Sequence, residues 1–194
     1  MKKLLALLLA LTLCATAALA ENGVFDYTAF EENEDINFEI DRFDDEWSII
    51  VAMSIRANMR AWLDVQGTLD GKIIGTALAF DGNDCDEVKV LLDDTMYTFD
   101  TRIQGEALDA GACFILLTPG TEPFFQALAT AETVDIRLTT ASGEEIDISI
   151  TGSDLEEIQF VLTKLFEQDV LDCYTDEMQE NWEALELLHF MTVD

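Results

Sequence analysis

T-V-D-I-R-L-T-T-A-S-G-E-E-I-D-I-S-I-T-G-S-D-L-E-E-I-Q-F-V-L-T-K-L-F, running from Thr133 to Phe166, decides the fold. Val134, Ile136 and Leu138 alternate with Asp135, Arg137 and Thr139. Ile146, Ile148 and Ile150 alternate with Asp147 and Ser149. A period of two gives each segment one apolar face, the pattern of a half-buried strand. Ser142-Gly143 between them supplies turn chemistry, so the pair reads as a hairpin. Ser153-x-x-Glu156 then reads as a capping box, in which each side chain satisfies a free N–H of the first helical turn. Leu155, Ile158, Val161, Leu162, Leu165 and Phe166 recur at helical spacing and make one broad apolar stripe. A hairpin followed by a helix with one buried face is a packing unit.

Working upstream, short strands follow one another with turn signals between them. Ile36–Asp41 alternates, and Asp44-Asp45-Glu46 closes it as a turn. Trp47 to Ile55 is rich in β-formers and carries little charge, so it reads as a central strand covered on both faces. Ala57 to Val65 fits either a helix or a strand. Asp70-Gly71 suits a tight hairpin, followed by a strand from Ile73 to Phe80 with Gly75 as a bulge. Val88–Leu92 and Met96–Thr101 are strands joined at Asp93-Asp94, with Tyr97 and Phe99 on one face. Cys113 to Thr118 is a further strand, ended by Pro119-Gly120. Thr121 caps a short helix with Glu122 and Pro123 in its first turn. Its Phe124, Phe125, Leu128 and Ala131 make it a lid on the end of a sheet. Val24 to Phe30 reads as another short strand. Downstream, Asp176 opens a helix with Met178, Trp182, Leu185 and His189 at helical spacing.

These elements predict a mostly β (α+β) fold. It is an antiparallel β-sandwich with a short plug helix and one or two C-terminal helices. Residues 1–20 stand apart. Lys2 and Lys3, an apolar run from Leu4 to Leu13 and Ala18-Leu19-Ala20 before Glu21 have the layout of a cleaved signal peptide. The run is shorter than the ~20 residues of a membrane span. Cys14 would suit a lipoprotein, but Leu13 stands where such signals need a small residue. The expectation is a single domain over residues 21–194, secreted or periplasmic.

The charge narrows the partners. Forty acids against ten lysines and arginines give the chain a formal charge of −30. Such a surface repels phosphate backbones, so nucleic acid and anionic membrane surfaces are unexpected partners. A basic protein partner or a weakly held divalent cation fits better. The acids of residues 21–46 read as a solvated face and two loops, or as a patch for a cation or a basic partner. Asp81-Gly82-Asn83-Asp84 has the composition of a calcium loop but not its spacing, since Gly82 and Cys85 fall at the wrong positions. Three cysteines follow the signal segment: Cys85, Cys113 and Cys173. Export permits a disulfide, and the odd count leaves one thiol over. Cys113 sits in an apolar strand, so Cys85–Cys173 is the candidate pair. Three small core fillers is the alternative. No C-x-x-C or zinc spacing occurs.

Catalytic chemistry is not legible. His189 is the only histidine and continues an apolar stripe. There is no G-x-S-x-G elbow and no phosphate-binding glycine loop. Carboxylate pairs for glycoside hydrolysis arise by chance among so many acids. No catalytic, cofactor-binding or metal residue is assigned.

The acidic strand pair D-D-T-M-Y-T-F-D, the F-F-Q-A-L-A-T-A helix, T-V-D-I-R-L, E-I-D-I-S-I and S-D-L-E-E-I-Q-F-V-L-T-K-L follow one another over residues 88–173. This layout resembles the small exported bacterial β-sandwich proteins related to invasion-associated locus B and the VasI-like group of type VI secretion. The resemblance implies a sandwich plugged at one end by the phenylalanine helix, with a C-terminal helix beside the last strand. It implies no enzyme activity. Residues before Val88 and after Tyr174 depart from it. The expected function is an exported, acidic, non-catalytic domain that binds a protein partner at the envelope or outside the cell. A carboxylate-based hydrolase and a cation-binding acidic module are the rival classes.

Overall fold

The structure is a computed structural model, and it describes residues 23–31, 33, 36–53, 61–81, 85–102, 112–186 and 190–193. The signal segment, Cys14, Ala57–Arg60, Gly82–Asp84 of the acidic turn and His189 lie outside the described residues.

Among the described residues, ten strands form two antiparallel sheets of five. They are β1 (Asn37–Asp41), β2 (Glu46–Met53), β3 (Ala61–Thr68), β4 (Ile73–Asp81), β5 (Cys85–Leu92), β6 (Thr95–Asp100), β7 (Ala112–Leu116), β8 (Val134–Thr140), β9 (Glu145–Ile150) and β10 (Phe190–Val193). The first sheet runs β1-β2-β3-β4-β7, the second β10-β6-β5-β8-β9. The apolar faces of the two sheets meet. From the first come Trp47, Ile49, Val51, Leu63, Val65, Leu78, Phe80 and Ile115; from the second come Val88, Val90, Tyr97, Phe99, Ile136, Leu138 and Ile148, all in one core. This is the mostly β sandwich that the alternating segments predict.

Two register irregularities decide which side chains enter that core. Between Gln66↔Gly75 and Gly67↔Ile73 the pairing skips Ile74. One extra residue flips the face of everything beyond it. Ile73 is thereby turned inward and fully buried. The bulge therefore sits beside Gly75 and not on it. In the second sheet, Cys85↔Thr140 and Glu87↔Thr139 skip Asp86. Strict alternation would put Cys85 on the outer face with Glu87. The bulge brings it inside, where it is 4% exposed.

The helices close the open sides. Helix α1 (Thr28–Glu31) carries the buried Phe30. It replaces the strand expected over Val24–Phe30, because Thr28 turns back on Asp26 through its N–H and hydroxyl. Helix α2 (Glu122–Leu128) buries Phe124, Phe125 and Leu128. Phe124 meets Tyr97 and Phe99 edge-on at 5.3 and 4.9 Å. Thr121 makes no forward capping bond. Its hydroxyl accepts from Thr118 N–H at 3.0 Å and donates to the Leu116 carbonyl, which fixes the turn out of β7. Helix α3 (Ser153–Phe166) buries Leu155, Ile158, Val161, Leu162 and Leu165, the predicted stripe. It leaves β9 of the second sheet and packs on β2 of the first and on α2. The capping box does not form. Gly152 takes the N-cap position at φ +63, with no side-chain cap, and the Glu156 N–H goes to the Gly152 carbonyl at 3.1 Å.

The tail differs most from expectation. In place of one helix from Asp176, there are α4 (Asp176–Glu180) and α5 (Trp182–Glu186), broken at Asn181. Thr175 caps α4 through Met178 N–H. Before it, the 3-10 turn Val170–Cys173 leads to Tyr174, which is buried and donates to the Leu117 carbonyl at 3.2 Å. Beyond α5 the chain returns as β10 and pairs with β6.

Candidate partner-binding hairpin

No catalytic residue was expected, and the described residues hold no group of three or more His, Cys, Asp or Glu able to grip a metal ion. Among the described residues, four places stand out as candidates for chemistry or binding. They are one half-buried carboxylate, one groove on each sheet, and the cysteines.

The carboxylate is Asp64 on β3. It projects from the outer face of the first sheet, and its direct cross-strand neighbours are Ile50 and Ala77. Burial among apolar neighbours raises its pKa above the ordinary carboxylate value, and a hydrogen bond from Gln66 at 3.2 Å works against that rise. Its Oδ1 is buried without a hydrogen-bond partner. An acid–base mechanism on a sugar needs a second carboxyl about 5–10 Å away. Neither strand pairing supplies an acid opposite Asp64.

On the outer face of the second sheet, a groove of about 450 Å³ has Leu91 and Met96 as floor and Lys89, Arg137, Asp135 and Asp147 as walls. Lys89 and Arg137 are direct cross-strand neighbours. Two like charges in that position repel. Acids quench both. Arg137 makes a two-pronged contact with Asp147 at 2.6 and 2.9 Å and a third with Glu145. Lys89 reaches Glu87 at 2.8 Å. The basic charge of this face is spent within the sheet.

The third place is the β1–β2 hairpin. Its turn, Arg42-Phe43-Asp44-Asp45, lies wholly on the surface. Phe43 is 98% exposed at the tip. Ile40, one residue pair from the turn, is also exposed. Glu39, Asp41, Asp44, Asp45 and Glu46 surround it, against one base, Arg42. A groove of about 630 Å³ runs under the tip between Ile40, Phe43, Trp47 and Gln66.

The hairpin is held from below. Asp41 Oδ1 accepts from Phe43 N–H at 2.8 Å, and the Asp45 carbonyl accepts from Leu69 N–H at 2.8 Å. Asp45 turns the chain at φ +57. Aspartate tolerates that region better than most residues. Beneath the strands, Trp47 is packed by Phe25, Tyr27, Phe30 and Phe38 with ring centroids 5.6 to 6.4 Å away. Its indole N–H donates to the Thr68 carbonyl at 3.0 Å. Phe160 of α3 meets Phe30 edge-on at 6.3 Å. The tip is therefore a bare aromatic on a rigid base.

No protein-family model, curated protein or solved structure matches this chain. The site has to be judged on its own geometry.

The sequence left two readings of the cysteines open, a Cys85–Cys173 pair and three small core fillers. Cys85, Cys113 and Cys173 are each buried. The thiol beside Cys85 is Cys113. Cys173 lies elsewhere, its sulfur 3.6 Å from the Gln168 carbonyl, with burial raising its pKa. The Cys85–Cys173 pair is not formed in this structure.

Sequence reasoning passed over Phe43. It read Ile36–Asp41 as a strand and Asp44-Asp45-Glu46 as the turn that closes it. The available signal was an aromatic set among charges, D-R-F-D-D, at the bend between two alternating segments. Trp47 was read on the correct face, but β2 is second from the edge and its outer face is open at Ile50 and Ala52.

Proposed function

We propose that this chain is an exported, acidic, non-catalytic domain that binds a cationic protein partner through the β1–β2 hairpin. The observation that carries the reading is Phe43, exposed at the tip of a braced and strongly acidic turn. Aromatic side chains are favoured as interface anchors, because they bury a large area while giving up little rotational freedom. A bare phenylalanine gains nothing for the isolated chain. The five surrounding acids would steer a basic surface toward it and discriminate against acidic ones. Braced by Asp45 and Leu69, the turn needs little ordering on binding, which lowers the entropic cost.

The leader-like segment Met1–Ala20 supports export, and the residues over 88–173 that resemble small exported bacterial sandwich proteins point the same way. Affinity capture from extracts of the source organism tests the function. The unmodified chain should retain a basic protein that Phe43→Ser does not. Equal retention by both, or retention of nothing reproducible, would count against the reading.

A further inference from the structure

Cys85 and Cys113 come from opposite sheets. Cys85 opens β5 in the second sheet, and Cys113 lies in β7 of the first. Packed sheets stand about 10 Å apart, farther than two cysteine side chains bridge. These two meet because the chain crosses between the sheets at this corner. β4 ends at Asp81 in the first sheet, and β5 begins at Cys85 in the second. Cys113 is the cross-strand partner of Phe80, at the same end of β4.

The bulge at Asp86 supplies the orientation. Thr101, itself fully buried, clamps it: its N–H donates to the Asp86 carbonyl at 3.0 Å and its hydroxyl to the Cys85 carbonyl at 2.7 Å. The Cys85 side chain is thereby turned inward against Cys113, which is 1% exposed. A hydrogen bond between the two thiols, with burial added, holds the proton on Cys113 well above its ordinary range.

We infer that Cys85 and Cys113 are a disulfide-forming pair that staples the two sheets together in an oxidising compartment. The oxidant is a small or protein disulfide. One thiolate attacks it, forms a mixed disulfide and releases one thiol. The second thiolate attacks the first cysteine's own sulfur in that mixed disulfide, breaks its bond to the oxidant's sulfur, closes Cys85–Cys113 and releases the second thiol. Two protons and two electrons pass from the cysteines to the oxidant. Both sulfurs are shielded once the sheets have closed, so the bond forms during folding. Cys173, next to Tyr174, which bridges to Ile73 at the other end of β4 from Phe80, is the thiol left over.

The test is oxidative refolding of the full chain with reduced and oxidised glutathione, then alkylation, proteolysis and peptide mass mapping. The expected product is a Cys85–Cys113 peptide lacking two hydrogens, with Cys173 alkylated. Refolding with a thiol reductant instead should lower Tm by roughly 10 °C, the effect of opening a loop of this length. Cys173→Ser should keep that difference and Cys85→Ser should abolish it. A Cys85–Cys173 or Cys113–Cys173 peptide would overturn the inference. So would a bond from Cys14 to either core cysteine, or alkylation of both Cys85 and Cys113 under oxidising conditions.

Discussion

Trp47 and Gly67 face each other across β2 and β3, and a Cβ placed on Gly67 would stand 2.4 Å from Trp47 Cζ2. The indole covers this glycine because no other residue leaves room for it. The Lys72 carbonyl closes the remaining side at 2.7 Å. Gly67→Ala should therefore cost about 3 kcal/mol through overpacking. Gly75, in the same sheet, has nothing within 4 Å of its Cβ position. Gly75→Ala should change stability by less than about 0.5 kcal/mol. Urea denaturation of the two variants checks the contrast.

Phe124 is fully buried between Tyr97, Phe99 and Phe125. If α2 plugs the sandwich as described, Phe124→Ala should destabilise by about 3–5 kcal/mol, the usual cost of emptying an aromatic site. Gln126→Ala on the exposed face of the same helix should stay within about 0.5 kcal/mol. Thermal unfolding followed by circular dichroism separates them.

Asp64 predicts a pH dependence. Burial raises its folded pKa above 3.8, so the folded state holds the proton more tightly than the unfolded chain does. Its favourable contribution is full below 3.8 and fades as pH rises through the folded pKa. At neutral pH the ionised carboxylate is a net cost. Asp64→Asn should then be the more stable protein at pH 7, by less than about 1 kcal/mol because solvent screens a half-exposed group. The advantage should vanish near pH 3. Paired melting curves at the two pH values check the sign.

How far the residues announced this structure depends on which forces acted locally. The hairpin of β8 and β9 and the stripe of α3 were legible because alternation and helical spacing are set by burial alone. The plug helix was legible from Phe124 and Phe125 for the same reason. The caps were not: Thr121 turned back to Leu116, and Gly152 displaced Ser153 from the cap position. Two residues skipped by bulges, Ile74 and Asp86, reversed the expected faces of Ile73 and Cys85. Pairing register depends on the partner strand, which no single segment encodes. The sequence set Cys85 with Cys173 only because Cys113 lies in an apolar strand, and kept three core fillers as the alternative; that Cys113 neighbours Cys85 depends on register. β10 escaped notice because four residues after a broken helix carry too little periodicity. Phe43 escaped because exposure at a turn tip depends on what the rest of the chain leaves uncovered.

Phe43→Ser should leave the isolated protein as stable as the unmodified chain, within about 0.5 kcal/mol, since the ring is already in water. A Phe43 whose loss lowered Tm markedly would be a folding residue and not a contact residue.

The central claim is that the β1–β2 hairpin is the partner surface. The most direct measurement is an amide chemical-shift titration of the isotope-labelled chain with a lysine- and arginine-rich peptide carrying one aliphatic cluster. The account predicts shifts concentrated on Asn37–Asp41, residues 42–45 and the start of β2, an affinity at least tenfold weaker for Phe43→Ser, and weakening at high salt. Shifts scattered over the acidic surface and unchanged by Phe43→Ser would contradict it.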